Sequence, residues 1–176
     1  DSLPRCRINL ISHETSALNG MKRTLLPKRT VLLISFLVVL VDQASKELVS
    51  RLLIGKASLT IVPSLLAFRV VRNTGAAFSL FNQSTEILAL LSIAVSISLI
   101  FMIWTNRYLN NWRGLGFCFL LGGSIGNGFD RIRLGYVIDF IELLPLNFPI
   151  FNCADMAINL AVLCLIIETI VNRRHA

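Results

Sequence analysis

Four long apolar segments constrain the fold of this chain more than any other feature of its sequence. The most apolar segment, residues 87–105 (ILALLSIAVSISLIFMIWT), contains no charged residue, and the others cover about residues 30–53, 112–129 and 150–171. A helix needs about 20 mainly apolar residues to cross a bilayer. Backbone that faces lipid must also satisfy its hydrogen bonds internally. We therefore predict an all-α polytopic membrane protein with four transmembrane helices.

Composition and charge agree with a membrane protein. The 176 residues are 55% hydrophobic and 15% charged, whereas about 25% of a soluble domain is charged. The net charge of +7 does not indicate a nucleic-acid-binding protein, because the basic residues lie at the ends of apolar segments rather than in a stripe. The four cysteines have no metal-ligand spacing, so we interpret them as small buried hydrophobic residues.

The first residues differ from the rest of the chain. Residues 1–20 are polar and mixed, and they lack the apolar core of a signal peptide. Met21, followed by Lys22 and Arg23, has the character of a natural start. We therefore interpret residues 1–20 as an upstream extension or leader and residues 21–176 as a single four-helix domain.

The distribution of Lys and Arg predicts the orientation. Basic residues precede the first segment, flank the short connection between the second and third, and follow the fourth, so both termini are expected in the cytoplasm. The long connection 51–86 then lies outside. Its β-branched and aromatic runs, broken by Pro63 and by a turn signal at residues 73–75, predict a small extracytoplasmic β-rich segment between the first two helices. The six glycines of residues 114–128 predict close helix packing.

This topology gathers polar residues that are dispersed in sequence at one interface. The group comprises Asp42, Asn73, Asn127, Asp130, Arg131, Asp139, Asn152 and Asp155. A carboxylate inside a membrane costs about 2.5–3.5 kcal/mol at a helix centre, so such acids are candidates for function. Spacing alone does not choose a catalytic pair among the four acids Asp130, Asp139, Glu142 and Asp155.

A pair of neighbouring carboxylates has a specific chemistry. The two groups share one proton, so that the charged member can activate water while the neutral member polarises a peptide carbonyl. The alternative is that these acids are merely interfacial, or are paired with Arg131 or Arg133. Asp42 and Lys46, at positions i and i+4, form either a structural ion pair or a support for the site.

Four ordered blocks of the sequence resemble the lipoprotein signal peptidase family, also called signal peptidase II or prolipoprotein signal peptidase. They are VDQASK at 41–46, RNTGAAFSL at 72–80, GGSIGNGFDRIRLGYVIDFI at 122–141 and FNCADMAI at 151–158, and the resemblance covers about residues 24–174. It implies a four-helix aspartic endopeptidase of the bacterial inner membrane, with its active site at the outer, periplasmic interface. The implied substrates are diacylglyceryl-modified prolipoproteins, cleaved just before the lipidated cysteine.

The resemblance also implies roles for individual residues. The catalytic aspartates of the family match Asp139 and Asp155, which demotes Glu142. Its supporting polar residues match Asp42, Asn73, Asn127, Asp130, Arg131 and Asn152, to which we assign site shaping and substrate positioning. We expect a monomer in contact with membrane lipid, with no metal or organic cofactor and no nucleic-acid partner.

Two other functions are compatible with the residues alone. In a proton- or ion-coupled transporter, Asp42, Lys46 and Asp155 would form a relay. In a non-enzymatic assembly factor, the acids would only hold helices together, and Asp→Asn changes would leave function intact. The ordered motifs favour the peptidase over both.

Overall fold

The computed structural model describes residues 25–75, 84–106, 109–146 and 148–173. The described helices are α1 (Lys28–Leu52), α2 (Thr85–Thr105), α3 (Asn111–Leu134) and α4 (Cys153–Arg173). The strands are β1 (Leu25–Leu26), β2 (Leu59–Val62), β3 (Leu66–Asn73), β4 (Leu109–Asn110) and β5 (Val137–Leu143). The leader that we interpreted over residues 1–20, and with it Cys6, lies outside these residues.

The four helices coincide with the four predicted apolar segments, although two boundaries differ. Helix α3 continues to Leu134 and ends at Gly135, whose φ of 78° is the left-handed conformation that glycine adopts readily. Helix α4 begins at Cys153 rather than near residue 150 because Phe151 is held in extended backbone by an antiparallel bridge to Ile141. Asp155 is consequently the third residue of its helix.

Two of the described helices, α2 and α4, are long and apolar enough to cross a membrane by length and composition alone. Helices α1 and α3 do not meet this criterion, because polar residues or glycines interrupt their apolar sequence. Helix α1 carries Asp42 and Lys46 within its length, and α3 is glycine-rich with basic residues near both ends. Large apolar side chains are exposed on the outer surface, Leu33 and Phe36 at 58% and Trp104 at 73% among them, as expected for a protein surrounded by lipid.

Helix α3 lies at the centre and packs against the other three helices. A Cβ atom added at Gly122 would lie 2.6 Å from Val38 Cβ of α1, and one at Gly123 would lie 2.6 Å from the Ala154 carbonyl oxygen of α4. These distances are too short for a side chain. The prediction that the glycines allow close packing is confirmed.

The buried apolar residues of the bundle form one main cluster. It joins α1, α2 and α3 and contains Val31, Leu99, Ile103, Leu109, Phe117, Cys118 and Leu121. Cys118 and Cys164 are buried and Cys153 is half-buried, so the three described cysteines agree with their interpretation as small packing residues.

A three-stranded antiparallel sheet in the order β2-β3-β5 lies at one end of the bundle. Strands β2 and β3 come from the connection for which we predicted β structure, and the Asn73 side-chain oxygen accepts a hydrogen bond from Gly75 N–H (2.9 Å) at the predicted turn. Strand β5, between α3 and α4, was not predicted. It matters because it carries Asp139.

A bulge in β3 decides which side chain faces Asp139. Phe68 lies opposite Ile141, but three residues later Val71 lies opposite Asp139, which is only two residues away from Ile141. The extra residue places Asn73 opposite Val137. Because side chains alternate between the two faces of a strand, Val137 and Asp139 lie on the same face, and Asn73 shares that face as the residue opposite Val137. In an unbroken register Arg72 would lie opposite Val137 instead.

Candidate active site

Asp139 lies in the middle of β5 with its side chain buried. Its Oδ2 atom accepts a hydrogen bond from Asn73 Nδ2 (2.8 Å), and its Oδ1 atom accepts one from Asn152 Nδ2 (2.6 Å). Burial is the main cause that raises the pKa of Asp139 from 3.8 to about 6; the bond from Asn73 lowers this pKa, and the charge of Asp155 raises it. Asp139 therefore holds a proton closer to neutral pH than an exposed aspartate does.

Asp155 lies in the first turn of α4, and the end of that helix orients its carboxylate. Asp155 N–H donates to Asn152 Oδ1 (3.0 Å), and Asn152 N–H donates back to Asp155 Oδ2 (3.2 Å). This reciprocal pair is a capping box. The remaining oxygen, Oδ1, accepts a hydrogen bond from Asn127 Nδ2 (2.8 Å). The partial positive charge of the helix N-terminus favours a negative charge at this position.

Asn152 connects the two carboxylates directly. It caps the helix that carries Asp155, and its amide donates both to Asp139 Oδ1 and to Asn127 Oδ1, the latter at 3.1 Å. Asn152 itself is fully buried. Asn152, together with the bridge that ties the preceding Phe151 to β5, therefore links Asp139 to Asp155.

A buried ion cluster contacts the side-chain amide of Asn127. Lys46 Nζ lies 2.8 Å from both Asp42 Oδ2 and Asp130 Oδ2, and it donates to Asn127 Oδ1 at 3.1 Å. A lysine ammonium has three hydrogens to donate, so all are used. The structure thus confirms the predicted Asp42–Lys46 ion pair and adds Asp130 as a second acid.

The same cluster connects four elements of the fold, α1, α3, α4 and β5. Asp42 Oδ1 accepts a hydrogen bond from Ala154 N–H at the start of α4 (2.9 Å). Asp130 Oδ2 accepts one from Ile138 N–H of β5 (3.2 Å). Gln43 Nε2 donates to Asp42 and Asp130 at 3.1 and 3.0 Å. Helix α1 is thereby attached to both backbone segments that carry the candidate catalytic aspartates.

Arg131 lies one helical turn beyond Asn127 on α3. Its guanidinium donates to the Gly75 carbonyl oxygen at 3.2 Å, next to the turn that holds Asn73. Its Nε atom is buried and has no hydrogen-bond partner among the described residues. The guanidinium thus contacts the Asn73–Gly75 turn on the side of the carboxylate pair.

The structure brings together all eight predicted site residues and separates the other acids from them. Glu142 forms an ion pair with Arg69 (2.8 Å) on the sheet. Glu168 lies at the opposite end of the bundle, where it accepts hydrogen bonds from Arg113 (2.8 Å) and Asn110 (3.2 Å). Because these acids do not continue the cluster across the bundle, the placement does not favour a proton relay. His13 and His175 lie outside the described residues.

Two contributions were missed or underrated from the sequence. Gln43 was not singled out, although it bonds both acids of the ion cluster. Lys46 was not predicted as a site residue, because the sequence indicated only one of its partners, Asp42, which lies one helical turn away. Their common signal is the block VDQASK, in which four polar side chains interrupt an apolar helix.

The arrangement suits acid–base chemistry by two carboxylates. One, Asp139, is buried and has a raised pKa, and the other, Asp155, lies in the first turn of a helix with its two oxygens held by N–H donors. Within the described part of the chain, no group of three or more His, Cys, Asp or Glu residues is placed to hold a metal ion.

Comparison with known proteins gives a consistent result. The model of the family described as signal peptidase (SPase) II matches residues 34–171. The lipoprotein signal peptidase of Parasynechococcus marenigrum (strain WH8102) is 49% identical over 148 residues, which cover 84% of this chain and 93% of that protein. The lipoprotein signal peptidase of Enterococcus faecalis (strain ATCC 700802 / V583) is 38% identical over 145 residues, covering 82% and 89%.

A solved structure has the same architecture. It is described as "Bacterial membrane enzyme structure by the in meso method at 2.3 A resolution", and it superposes with a TM-score of 0.74 at 28% identity, covering 82% of this chain and 89% of that one. A family match over most of the chain, relatives covered almost entirely and a shared fold agree with one another. The chain belongs to the signal peptidase II family.

Proposed function

We propose that this protein is an aspartic endopeptidase that removes signal peptides from diacylglyceryl-modified prolipoproteins by cleaving just before the lipidated cysteine. The observation that carries the proposal is the contact of one residue, Asn152, with both Asp139 and Asp155. Membership of the signal peptidase II family supports the reaction. The aspartic mechanism rests on the geometry of the pair and on the raised pKa of Asp139.

The two aspartates divide the work of hydrolysis. Asp155 acts as the general base and takes a proton from the attacking water, while Asp139 in its protonated form donates a hydrogen bond to the scissile carbonyl oxygen. The oxygen of the water bonds to the carbonyl carbon and gives a tetrahedral intermediate. When the C–N bond breaks, Asp155 transfers its proton to the leaving amine, and Asp139 regains the proton it shared with the carbonyl oxygen. The titration belongs to the pair as a whole.

The supporting residues hold this arrangement without taking part in proton transfer. Asn73, Asn127 and Asn152 orient the carboxylates through the hydrogen bonds described above. The cluster of Asp42, Lys46 and Asp130 keeps Asn127 and β5 in place. Arg131 positions the Asn73–Gly75 turn, against which the substrate backbone would lie.

All four helices cross the bacterial inner membrane in this proposal. The termini lie in the cytoplasm, and the sheet and the carboxylate pair lie at the outer interface, where water reaches a bond held close to the membrane by acyl chains. One copy of the chain supplies all eight site residues, so a monomer holds the complete site. Residues 21–176 act as one domain.

A cleavage assay tests the proposal. The full chain, in detergent or liposomes, is given diacylglyceryl-modified prolipoprotein, and release of the signal peptide is followed by gel shift, with unlipidated precursor as the substrate control. We expect Asp139→Asn and Asp155→Asn to abolish cleavage while both variants keep the melting temperature of the wild type. Glu142→Gln is the matched control, because it removes an acid from the same strand that is paired elsewhere; it should cleave normally. Full cleavage by both Asp→Asn variants would refute the aspartic mechanism.

A further inference from the structure

A cleft that neither candidate catalytic aspartate lines lies between α1, α3 and the sheet. It is open and has a volume of about 780 Å³. Lys46 and Asp130 of the buried ion cluster form part of its wall, but neither Asp139 nor Asp155 lines it. The proteolytic reaction described above makes no use of this space.

The cleft carries an excess of positive charge. Five basic residues line it, and two of them are neutralised: Lys46 by the buried acids, and Arg51 by Glu47 at 2.6 Å. The other three are Lys56, Arg72 and Arg133, and within the described residues their side chains form no ion pair. Three exposed cations that converge on one cleft repel each other unless an anion lies between them.

Aromatic and aliphatic side chains adjoin these cations. The Arg72 guanidinium stacks over the ring of Tyr136 at 5.1 Å, which leaves its N–H groups free to bond an anion in the plane of the guanidinium. Phe129, Leu134 and Val70 also line the cleft, and Phe129 is 47% exposed. A free inorganic anion would gain nothing from such apolar neighbours, whereas a molecule with a charged head and hydrocarbon chains would contact both kinds of surface.

We propose that this cleft binds the phosphate headgroup of an anionic phospholipid such as phosphatidylglycerol, with Lys56, Arg72 and Arg133 around the phosphate and the acyl chains beside Phe129. The inference goes beyond peptide cleavage and rests only on the membrane placement proposed above. The cleft lies at the end of the bundle where the charged headgroups of the outer leaflet would be found. The lipid would contact the side of α1 and α3 that also holds the buried ion cluster. It would thereby stabilise the packing of these helices next to the active site.

Lipid retention measured by native mass spectrometry tests the proposal. The full chain, delipidated in neutral detergent, is incubated with equal amounts of dioleoyl phosphatidylglycerol and dioleoyl phosphatidylcholine. The test variant is Lys56→Gln/Arg133→Gln, which removes two cations that have no described ion-pair partner. The matched control is Arg29→Gln/Arg173→Gln, which removes the same charge from exposed positions at the other end of the bundle.

We expect the wild type and the control to prefer phosphatidylglycerol and the test variant to lose that preference. Each cation near an anionic lipid contributes about a fivefold change in affinity, so two should account for roughly 25-fold. Lys56→Arg/Arg133→Lys should keep the preference, because it preserves both charges.

Three results would overturn the proposal. They are equal retention of the two lipids by the wild type, an equal loss in the control variant, and full displacement of the lipid by millimolar inorganic phosphate, which would show a site for free anions. Cleavage is not the readout, so failure here would leave the proposed peptidase function standing.

Discussion

Asn152 and Asp155 cap each other across the first turn of α4, at 3.0 and 3.2 Å, and this exchange orients the carboxylate. With Oδ2 held by the backbone of Asn152, the second oxygen of Asp155 lies against the amide of Asn127. The residue that caps the helix also donates to the other aspartate, Asp139. A helix-capping interaction and the geometry of the carboxylate pair are therefore one structural feature in this protein.

Asn152 variants should separate capping from catalysis. Serine is also a good N-cap residue but lacks the amide donor, so Asn152→Ser should keep the helix capped while losing the bond to Asp139. We expect cleavage to fall about 100-fold in both Asn152→Ser and Asn152→Ala, as for a loss of positioning in an active site. Thermal unfolding should show Asn152→Ala to be less stable than Asn152→Ser by about 1 kcal/mol. Normal cleavage by Asn152→Ser would show that the amide does not position Asp139.

The pH dependence of cleavage should report the proton on Asp139. The pKa of Asp139 is about 6, and the proposed mechanism requires this group to be protonated, so kcat/KM should decline as the pH rises through about 6. The hydrogen bond from Asn73 stabilises the charged form and lowers this pKa. Asn73→Leu removes that bond, so the decline should move to higher pH. A pH profile of kcat/KM for both proteins measures this, and a limb that stays in place in Asn73→Leu would contradict the assignment.

Lys46 should be far more important for stability than an exposed lysine or arginine on the same helix. Lys46→Met leaves Asp42 and Asp130 as buried carboxylates without their cation, which costs about 3–5 kcal/mol when one partner of a buried pair is removed. Arg51→Met is the matched control, since it breaks the exposed i, i+4 pair with Glu47 and should cost less than about 1 kcal/mol. Thermal unfolding of the two variants in one detergent gives the comparison. Equal losses would show that burial of the pair has little energetic consequence.

The glycines of α3 should differ in their tolerance of alanine. At Gly123 the new Cβ would meet the Ala154 carbonyl oxygen at 2.6 Å, and backbone cannot move aside locally. Gly123→Ala should therefore destabilise the protein by about 1–3 kcal/mol and displace the start of α4, with a loss of cleavage. At Gly114 the nearest atom is the Cβ of the Leu26 side chain at 3.1 Å, so Gly114→Ala should be much milder, with helix propensity in its favour. Thermal unfolding and the cleavage assay together rank the two.

The helices were predictable because their signal is local. An apolar segment of about 20 residues favours a helix independently of the rest of the fold, because a helix satisfies its backbone hydrogen bonds within the segment. The four predicted segments match α1 to α4. The end of α3 was predicted five residues too early, because the basic and acidic residues at 130–133 were taken for a connection although they continue the helix to Gly135.

Strand β5 was not predictable in the same way. Residues 137–143 are as apolar as the spans, and a short apolar run does not distinguish strand from helix. Its strand conformation depends on pairing with β3, which is more than 60 residues away in sequence. The bulge in β3 is equally non-local, yet it decides that Asn73 rather than Arg72 faces Asp139.

The sequence by itself determined the helices and the gathering of eight polar residues at one end of the bundle. From spacing alone it left four acids as possible partners, and it showed Lys46 with one counter-ion where the folded protein supplies two. Only the tertiary structure decided that Asn152 joins Asp139 to Asp155 and that Asp130 completes the ion cluster. The physical reason is distance along the chain: apolar periodicity acts within one segment, whereas the position of a buried carboxylate depends on hydrogen bonds from several segments that meet only in the folded protein.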